Sequence, residues 1–268
     1  MAGRILYKYY SWAKEYHKRA LTLNTIYFAS PREFNDPFDC KINARYDLLT
    51  DEQLMEIANS LLTRNDQRPI SEEEVKRSYV AIQSGDFRKP SNLTASYERM
   101  DKVKESRIGL FCLSELNDNL LMWSHYGAAH AGFCIGYDTS LLDKHFERLF
   151  RDDGLLVKLF PVQYMECWPK NEIFVKEKDI EKYMLPILTT KAKDWDYEKE
   201  HRYIITDKTD IQYSIPKEAI AEVILGCRMS ESDRAEIKAI IQGWEKPPRL
   251  FQTQKKKYEF GLDVVPID

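Results

Sequence analysis

RIGLFCLSELNDNLLMWSHYGAAHAGFCIGYD, residues 107–138, holds two apolar runs on either side of a short polar and aromatic segment. RIGLFCLSE (107–115) and GFCIGYD (132–138) are apolar without alternation, so each predicts a strand buried on both faces, in a central position of a sheet. NLLMWSHYGAAH between them predicts a short helix. This segment sets Trp123, His125, Tyr126 and His130 into eight positions of a chain that has only five histidines. Polar rings at the mouth of a central strand point to a pocket.

Working outward, TIYFAS (25–30), LLVKLFPVQY (155–164, interrupted at Pro161), EHRYIIT (200–206) and AEVILG (221–226) predict further strands, and KKKYEFGLDVV (255–265) a last one. ILYKYY (5–10) reads as a strand, and a helix beginning through SWAKEYHKRAL is equally allowed. From Thr50 to about Ser106 the chain turns charged and helical: TDEQLMEIANSLLTR opens on an N-cap threonine, and Ser71 with Glu74 forms a capping box. DIEKYMLPILTTKAKDW (179–195) predicts a helix that Pro186 kinks or breaks, and SESDRAEIKAIIQGW (230–244) a late helix that Gly243 helps to close. The expected fold is α+β: one domain over residues 1–268, built on a mixed sheet, whole or split, with a helical insert at about 50–106.

Forty basic and forty-three acidic residues give a net charge of −3, so no global field draws the chain to nucleic acid or an anionic surface, although local basic patches are compatible with it. The five cysteines are scattered, with no C-x-x-C spacing, which speaks against a disulfide framework and a structural zinc site and for a reducing cytoplasm. The N-terminus lacks an apolar signal region, and no stretch approaches the roughly 20 apolar residues of a membrane span.

Three clusters and one serine carry candidate chemistry. In PREFNDPFDC, Asn35, Asp36 and Asp39 either bind a cation or substrate or shape the turn by bonding their own backbone. Ser114 ends a buried strand, as a site residue or as the cap of the next helix. His125 and His130 are five apart, on different helical faces, whereas metal ligands on a helix sit three or four apart. In DWDYEKEHRYIIT, a strand period of two puts Glu198, Glu200 and Arg202 on one face, which is either a solvated charged edge or the wall of a cleft. A cleft would bring His125 and Tyr126 to the two glutamates and the loop Asn35–Asp39, leaving His130 to hold the turn into GFCIGYD.

The order LYKY, YFASPREFNDPFDC, CLSE…DNLLMWSHYGAAHAGFCIGYD, DWDYEKEHRYI, EVILG resembles the bacterial family known as domain of unknown function 2971, over most of the chain apart from the insert and the C-terminal segment. The same order is similar, more loosely, to the ADP-ribosyltransferase fold. That resemblance implies NAD as substrate in a split sheet, in a toxin or phage-defence setting. It implies Glu200 as the glutamate that grips a ribose hydroxyl, with Glu198 two residues before it. Ser114 would sit in the middle motif, Tyr126 or Trp123 would be the stacking ring, and His125 or His130 would orient phosphate or act as a base. LYKY lacks the histidine or arginine usual on the first strand, leaving Lys8 or Tyr9 in its place; Asn35, Asp36 and Arg202 complete the implied ligand-binding set. The expected partners are a nucleotide-type small molecule and a macromolecular acceptor, with neither a membrane nor nucleic acid called for. Two other readings stand beside this one: a metal-dependent hydrolase or nuclease using His125, His130, Glu198 and Glu200, and a non-catalytic module sensing a ligand or partner.

Overall fold

In the computed structural model, which describes residues 4–41, 50–55, 72–86, 89–151, 157–168 and 180–267, the first half of the chain forms β1 (Ile5–Tyr10), α1 (Glu15–Thr22), β2 (Thr25–Phe28), α2 (Glu72–Gln83), α3 (Pro90–Arg107), β3 (Ile108–Ser114) and α4 (Leu120–His125). There follow β4 (Phe133–Asp138), α5 (Thr139–Leu149), β5 (Val157–Pro161), β6 (Gln163–Met165), α6 (Ile180–Thr189), β7 (Thr190–Ala192) and β8 (Glu200–Thr206). The chain ends with β9 (Ile211–Ser214), β10 (Ile220–Leu225), α7 (Glu231–Gln242), β11 (Arg249–Lys255) and β12 (Leu262–Pro266). Eight strands make one mixed sheet in the order β12-β11-β10-β4-β1-β3-β8-β5, in which only β10 and β11 run parallel. The fold is α+β, with helices inserted between strands of this sheet. Among the described residues no helix is long and apolar enough to cross a membrane.

Both central runs are buried as their composition requires, and strand alternation sorts their side chains to two faces. Leu6, Phe111, Leu113, Phe133, Ile135, Tyr203 and Val223 point to one face, where α1, α5, α7 and the small β2–β9 sheet cover them. Tyr9, Cys134 and Ile224 point to the other face under Met122 and Trp123 of α4, and Leu110 and Ile204 meet Leu188 of α6 there.

The seam between β1 and β3 sets the site. β1 pairs with β4 through six register pairs, and β3 with β8 through seven, but β1 and β3 share only Tyr7↔Ser114. Beyond that pair the strands part, and the backbone groups left over find other partners, as buried amides must. Ala29, just after β2, exchanges two hydrogen bonds with Leu110 (3.0 and 2.9 Å). The Lys8 ammonium donates to the Cys112 carbonyl at 3.0 Å. A lysine therefore stands where β1 would otherwise continue the ladder.

Several expectations resolve in the structure. ILYKYY is strand, and the helix starts five residues later at Glu15. Thr50 and Gln53 cap their helix start reciprocally, whereas Ser71 of the expected capping box and residues 56–64 of the first insert helix lie outside the described residues. TIYFAS forms β2 but joins β9 rather than the large sheet. KKKYEFGLDVV is not one strand: Lys255 ends β11, Leu262 begins β12, and the segment between them is the hairpin turn. RLFQTQ carries β11 with only Thr253 buried among its residues, too little apolar alternation to announce a strand.

After α4 the chain turns through Ala128, Ala129 and His130, all left-handed (φ 50, 52 and 68°), a conformation costing roughly 1–2 kcal/mol for each residue with a Cβ. The turn is held by Ala129 N–H to Ser124 O (3.3 Å), His130 N–H to Trp123 O (3.1 Å) and Gly132 N–H to Gly127 O (2.8 Å). His130 thus does hold the turn, through its backbone. Gly132 enters β4 so close to β1 that a Cβ would lie 2.0 Å from the Tyr10 carbonyl oxygen. Gly132→Ala should therefore lower stability by about 3 kcal/mol or more, while Ala129→Gly, which relieves a left-handed Cβ, should hold or raise it. Urea midpoints of the two variants against the wild type check both; a neutral Gly132→Ala would mean the approach of β1 to β4 is looser than this.

Candidate functional site

Arg202 sits on the α6-covered face of β8 with 0% exposure. A guanidinium has five N–H donors, and here each has an acceptor. Nε donates to Glu200 Oε1 (2.8 Å), and one Nη to Glu200 Oε2 (2.8 Å) and Asp39 Oδ2 (2.7 Å). The other Nη donates to Asp39 Oδ1 (2.9 Å) and the Leu188 carbonyl (2.7 Å). The Phe34 ring lies 5.3 Å from the guanidinium. One side chain thereby ties β8, the loop 31–41 and the end of α6 together.

Lys191 of β7 bridges to the next carboxylate. Its ammonium lies 2.6 Å from Glu198 Oε2, 3.3 Å from Glu200 Oε2 and 3.5 Å from Asp39 Oδ2. Glu198 precedes β8, in a 3-10 turn over Lys193–Glu198 that Lys199 (φ 45°) closes in the left-handed region. Its carbonyl accepts from Ser114 Oγ at 2.5 Å, and its Oε1 accepts from the Tyr126 hydroxyl at 2.7 Å. Asn35 Nδ2 donates to the same hydroxyl at 3.4 Å. Three carboxylates thus meet two cations, and Glu198, held by the Lys191 ammonium and a phenol, is the one of the three that has no bond to Arg202.

Burial and neighbours drive the two glutamates apart. Burial raises the Glu198 carboxyl above the ordinary range, the Lys191 ammonium opposes this, and the Glu200 charge adds to it. At Glu200 burial also pushes upward, but Arg202 and then Lys191 outweigh it and hold the carboxyl well below the ordinary range. Burial, then Glu198, pushes the Tyr126 phenol up, which keeps it a donor.

These groups line one cavity of about 520 Å³, within the usual range of small-molecule sites. His125, Tyr126, Lys191, Glu198, Glu200 and Asp39 line it together with Lys8, Lys14, His17 and Glu33. His17 Nδ1 accepts the Ser11 N–H at 2.9 Å, and burial, with Lys14 and Lys8 adding, pushes its pKa down to about 4. Burial lowers the Lys8 ammonium as well. The Glu200 charge acts on Lys8 in the opposite direction, so the lysines at the seam and the carboxylates under α4 lie within electrostatic reach of one another.

Of the residues singled out in the sequence, Lys8, Tyr9, Asn35, Asp39, Ser114, His125, Tyr126, Glu198 and Glu200 share this cavity, and Arg202 stands behind its wall. The row Glu198, Glu200, Arg202 is a buried cluster and not a solvated edge. Trp123 does not reach the cavity: its ring is wholly enclosed, edge-on to Tyr9 at 5.1 Å, with Nε1 donating to the Asn117 carbonyl. Asp36 is turn chemistry, its Oδ1 accepting the Phe38 N–H at 2.9 Å. Ser114 is no helix cap; Asn119 caps α4. His130 lies away from the cavity, beside Arg228 and Lys255. Among the described residues no three His, Cys, Asp or Glu side chains are grouped to hold a metal ion. Lys191, Lys14 and His17 escaped notice in the sequence. For Lys191 the signal was present: Pro186 foretells a helix end, and the β-branched pair Thr189–Thr190 that follows suits a strand.

Over residues 122–203 the chain is similar to a family described as a protein of unknown function (DUF2971). The matched span carries Tyr126, Lys191, Glu198, Glu200 and Arg202, and omits Lys8, Asp39 and Ser114. It is narrower than the motif order suggested. No curated protein and no solved structure matches the chain.

The opposite shifts have opposite signs in stability. Glu200, depressed on folding, contributes stability that is complete above its unfolded pKa of about 4.3 and is lost as pH falls below it; Glu198, raised on folding, contributes only below that value and costs stability as pH rises. At pH 7, Glu200→Gln should cost about 3 kcal/mol by leaving Arg202 underpaired, while Glu198→Gln should leave stability unchanged or higher. Urea unfolding at pH 7 and pH 4 checks this; equal losses in both variants at pH 7 would contradict it.

Proposed function

We propose that the cavity binds a nicotinamide dinucleotide and cleaves its glycosidic bond, in the manner of an ADP-ribosyltransferase. The observation that carries this reading is the parted seam between β1 and β3, which opens a cavity lined by both ammonium groups and carboxylates. Lys8 and Lys14 offer the ammonium groups that a pyrophosphate requires, with the neutral His17 ring beside them. Glu198, Glu200 and Tyr126 offer the groups that a cationic nicotinamide riboside requires.

The chemistry asked of these residues is modest. The bond between the ribose anomeric carbon and the ring nitrogen breaks, nicotinamide leaves neutral with the bonding pair, and an oxocarbenium-like centre develops. Water or an acceptor nucleophile adds to that carbon and gives up its proton. The resemblance gives the ribose hydroxyl to Glu200, but both Glu200 oxygens are bonded to the wholly buried Arg202, whereas the Glu198 oxygens are bonded to Tyr126 and Lys191, which line the cavity and can exchange for a ligand. We therefore assign the hydroxyl to Glu198, which Tyr126 orients, and to Glu200 the fixed negative potential that Arg202 keeps ionised. His125, on the cavity wall beside Tyr126, is placed to take the acceptor's proton.

One observation favours a second reading, a module that binds without turnover. The Lys191 ammonium sits 2.6 Å from Glu198, where it competes with the positive charge the reaction develops. No comparable observation favours the metal-dependent hydrolase, since His125 and His130 do not converge.

Nicotinamide release from NAD, followed by chromatography, separates these readings. The wild type should release nicotinamide, and Glu198→Gln should slow it by about 100- to 1000-fold, the usual loss for one oriented group at a developing charge. Saturable NAD binding without release would support the sensing module. Neither binding nor release would end the nucleotide reading.

A further inference from the structure

The turn between β11 and β12 is built unlike the rest of the surface. Every residue from Gln254 to Phe260 is exposed, and two of them are large rings: Tyr258 at 87% and Phe260 at 103% of full exposure. The Lys256 N–H bonds the Gly261 carbonyl at 3.1 Å, so residues 257–260 form a narrow apex that carries both rings. Lys255, Lys256 and Lys257 stand on the ascending side; the Glu259 carboxylate is 3.6 Å from Lys256, and exposed Asp263 sits opposite Gln254 on the returning strand. The Lys257 ammonium lies 5.2 Å from the Tyr258 ring centre. Folding gains nothing from exposing two aromatic rings at a hairpin apex; their neighbours in the sheet, Leu262 and Phe251, are packed.

The cationic surface continues behind the apex. His130, in the left-handed turn before β4, lies close enough to Lys255 and exposed Arg228 for both to add to the burial that lowers its proton affinity. Its Nδ1 is buried without a hydrogen-bond partner. Arg228 is fixed to the same turn through the Ala129 carbonyl at 3.3 Å. Three lysines and an arginine, beside a histidine that two of them help to keep uncharged, therefore collect behind two exposed rings, in a chain whose net charge is −3.

We propose that this hairpin apex docks the protein on an anionic lipid surface, with Tyr258 and Phe260 entering the headgroup layer and the lysines meeting the lipid charge. Rings at the tip with cations behind them suit a planar interface, where aromatic side chains partition at headgroup depth and lysine ammonium groups stay with the phosphates. Single-stranded nucleic acid asks for the same residue types in another arrangement, a platform of rings along a basic groove that the strand can follow. A four-residue apex has no such groove. The expectation that no membrane takes part rested on net charge and on the want of an apolar span, neither of which weighs a local tip. This inference is independent of the cavity and its proposed chemistry.

Cosedimentation of the full chain with vesicles of equal parts phosphatidylcholine and phosphatidylserine tests it, with phosphatidylcholine vesicles and a single-stranded oligonucleotide as comparisons. The chain should bind the anionic vesicles, and binding should fall about tenfold in the Tyr258→Ser/Phe260→Ser double variant and again on raising the salt. Both sites are fully exposed, so the thermal midpoint should not move. Absence of vesicle binding, equal binding by the double variant, or tighter binding to the oligonucleotide than to the vesicles would each overturn the proposal.

Discussion

A buried guanidinium is tolerable only when every donor is used, and Arg202 satisfies that condition by pulling two separate pieces of chain onto one face of β8 and by using a carboxylate of the strand itself. Asp39 brings the loop after β2, Leu188 the last turn of α6, and Glu200 the first residue of the strand itself. Once these are fixed, Lys191 has nowhere to go but among the three carboxylates, and Glu198 is left as the one that faces both Tyr126 and open space. The cavity floor is therefore a consequence of pairing a charge that the sheet has buried. The opposite cavity wall follows from a different deficit, the hydrogen bonds that β3 does not make to β1, which Ala29 and Lys8 make instead.

These two devices give the site both its carboxylates and its ammonium groups. The carboxylate cluster is rigid because each member has partners on more than one element. At the seam, by contrast, Lys8 has a single carbonyl as its hydrogen-bond acceptor, and His17 is kept neutral by burial and by the lysines around it. An anion entering there gains an ammonium group already stripped of much of its water. It would also raise the proton affinity of His17, so ligand binding at the seam is coupled to proton uptake below neutral pH.

Much of this was legible in the sequence where one local rule governed. The unbroken apolar runs of β3 and β4 could only be central strands, and the period of two placed Glu200 and Arg202 together without any knowledge of the partner strands. Glu198 joined them although it lies outside the strand, because the left-handed Lys199 returns it to the same side. What could not be read was pairing at long range. Nothing near Lys8 announces that β1 leaves β3 after a single pair, and nothing in KAKDW announces that Lys191 will meet carboxylates from two other segments. Trp123 misled because a ring beside a polar cluster looks like a stacking surface, whereas its indole N–H is spent on the Asn117 carbonyl and its faces on the core. β11 was overlooked for the converse reason: a strand next to the sheet edge needs few apolar residues.

The central claim is that two glutamates two residues apart hold their protons oppositely, Glu200 through Arg202 and Glu198 through its burial beside the cavity. Side-chain carboxyl ¹³C resonances of the two, assigned by single substitution and followed through an acid titration, measure it directly. The account predicts that Glu200 remains ionised well below the ordinary carboxylate range of about 4.3, while Glu198 takes up its proton above that range. Coincident titration of both near the ordinary value would contradict it, and with it the assignment of separate roles to the pair.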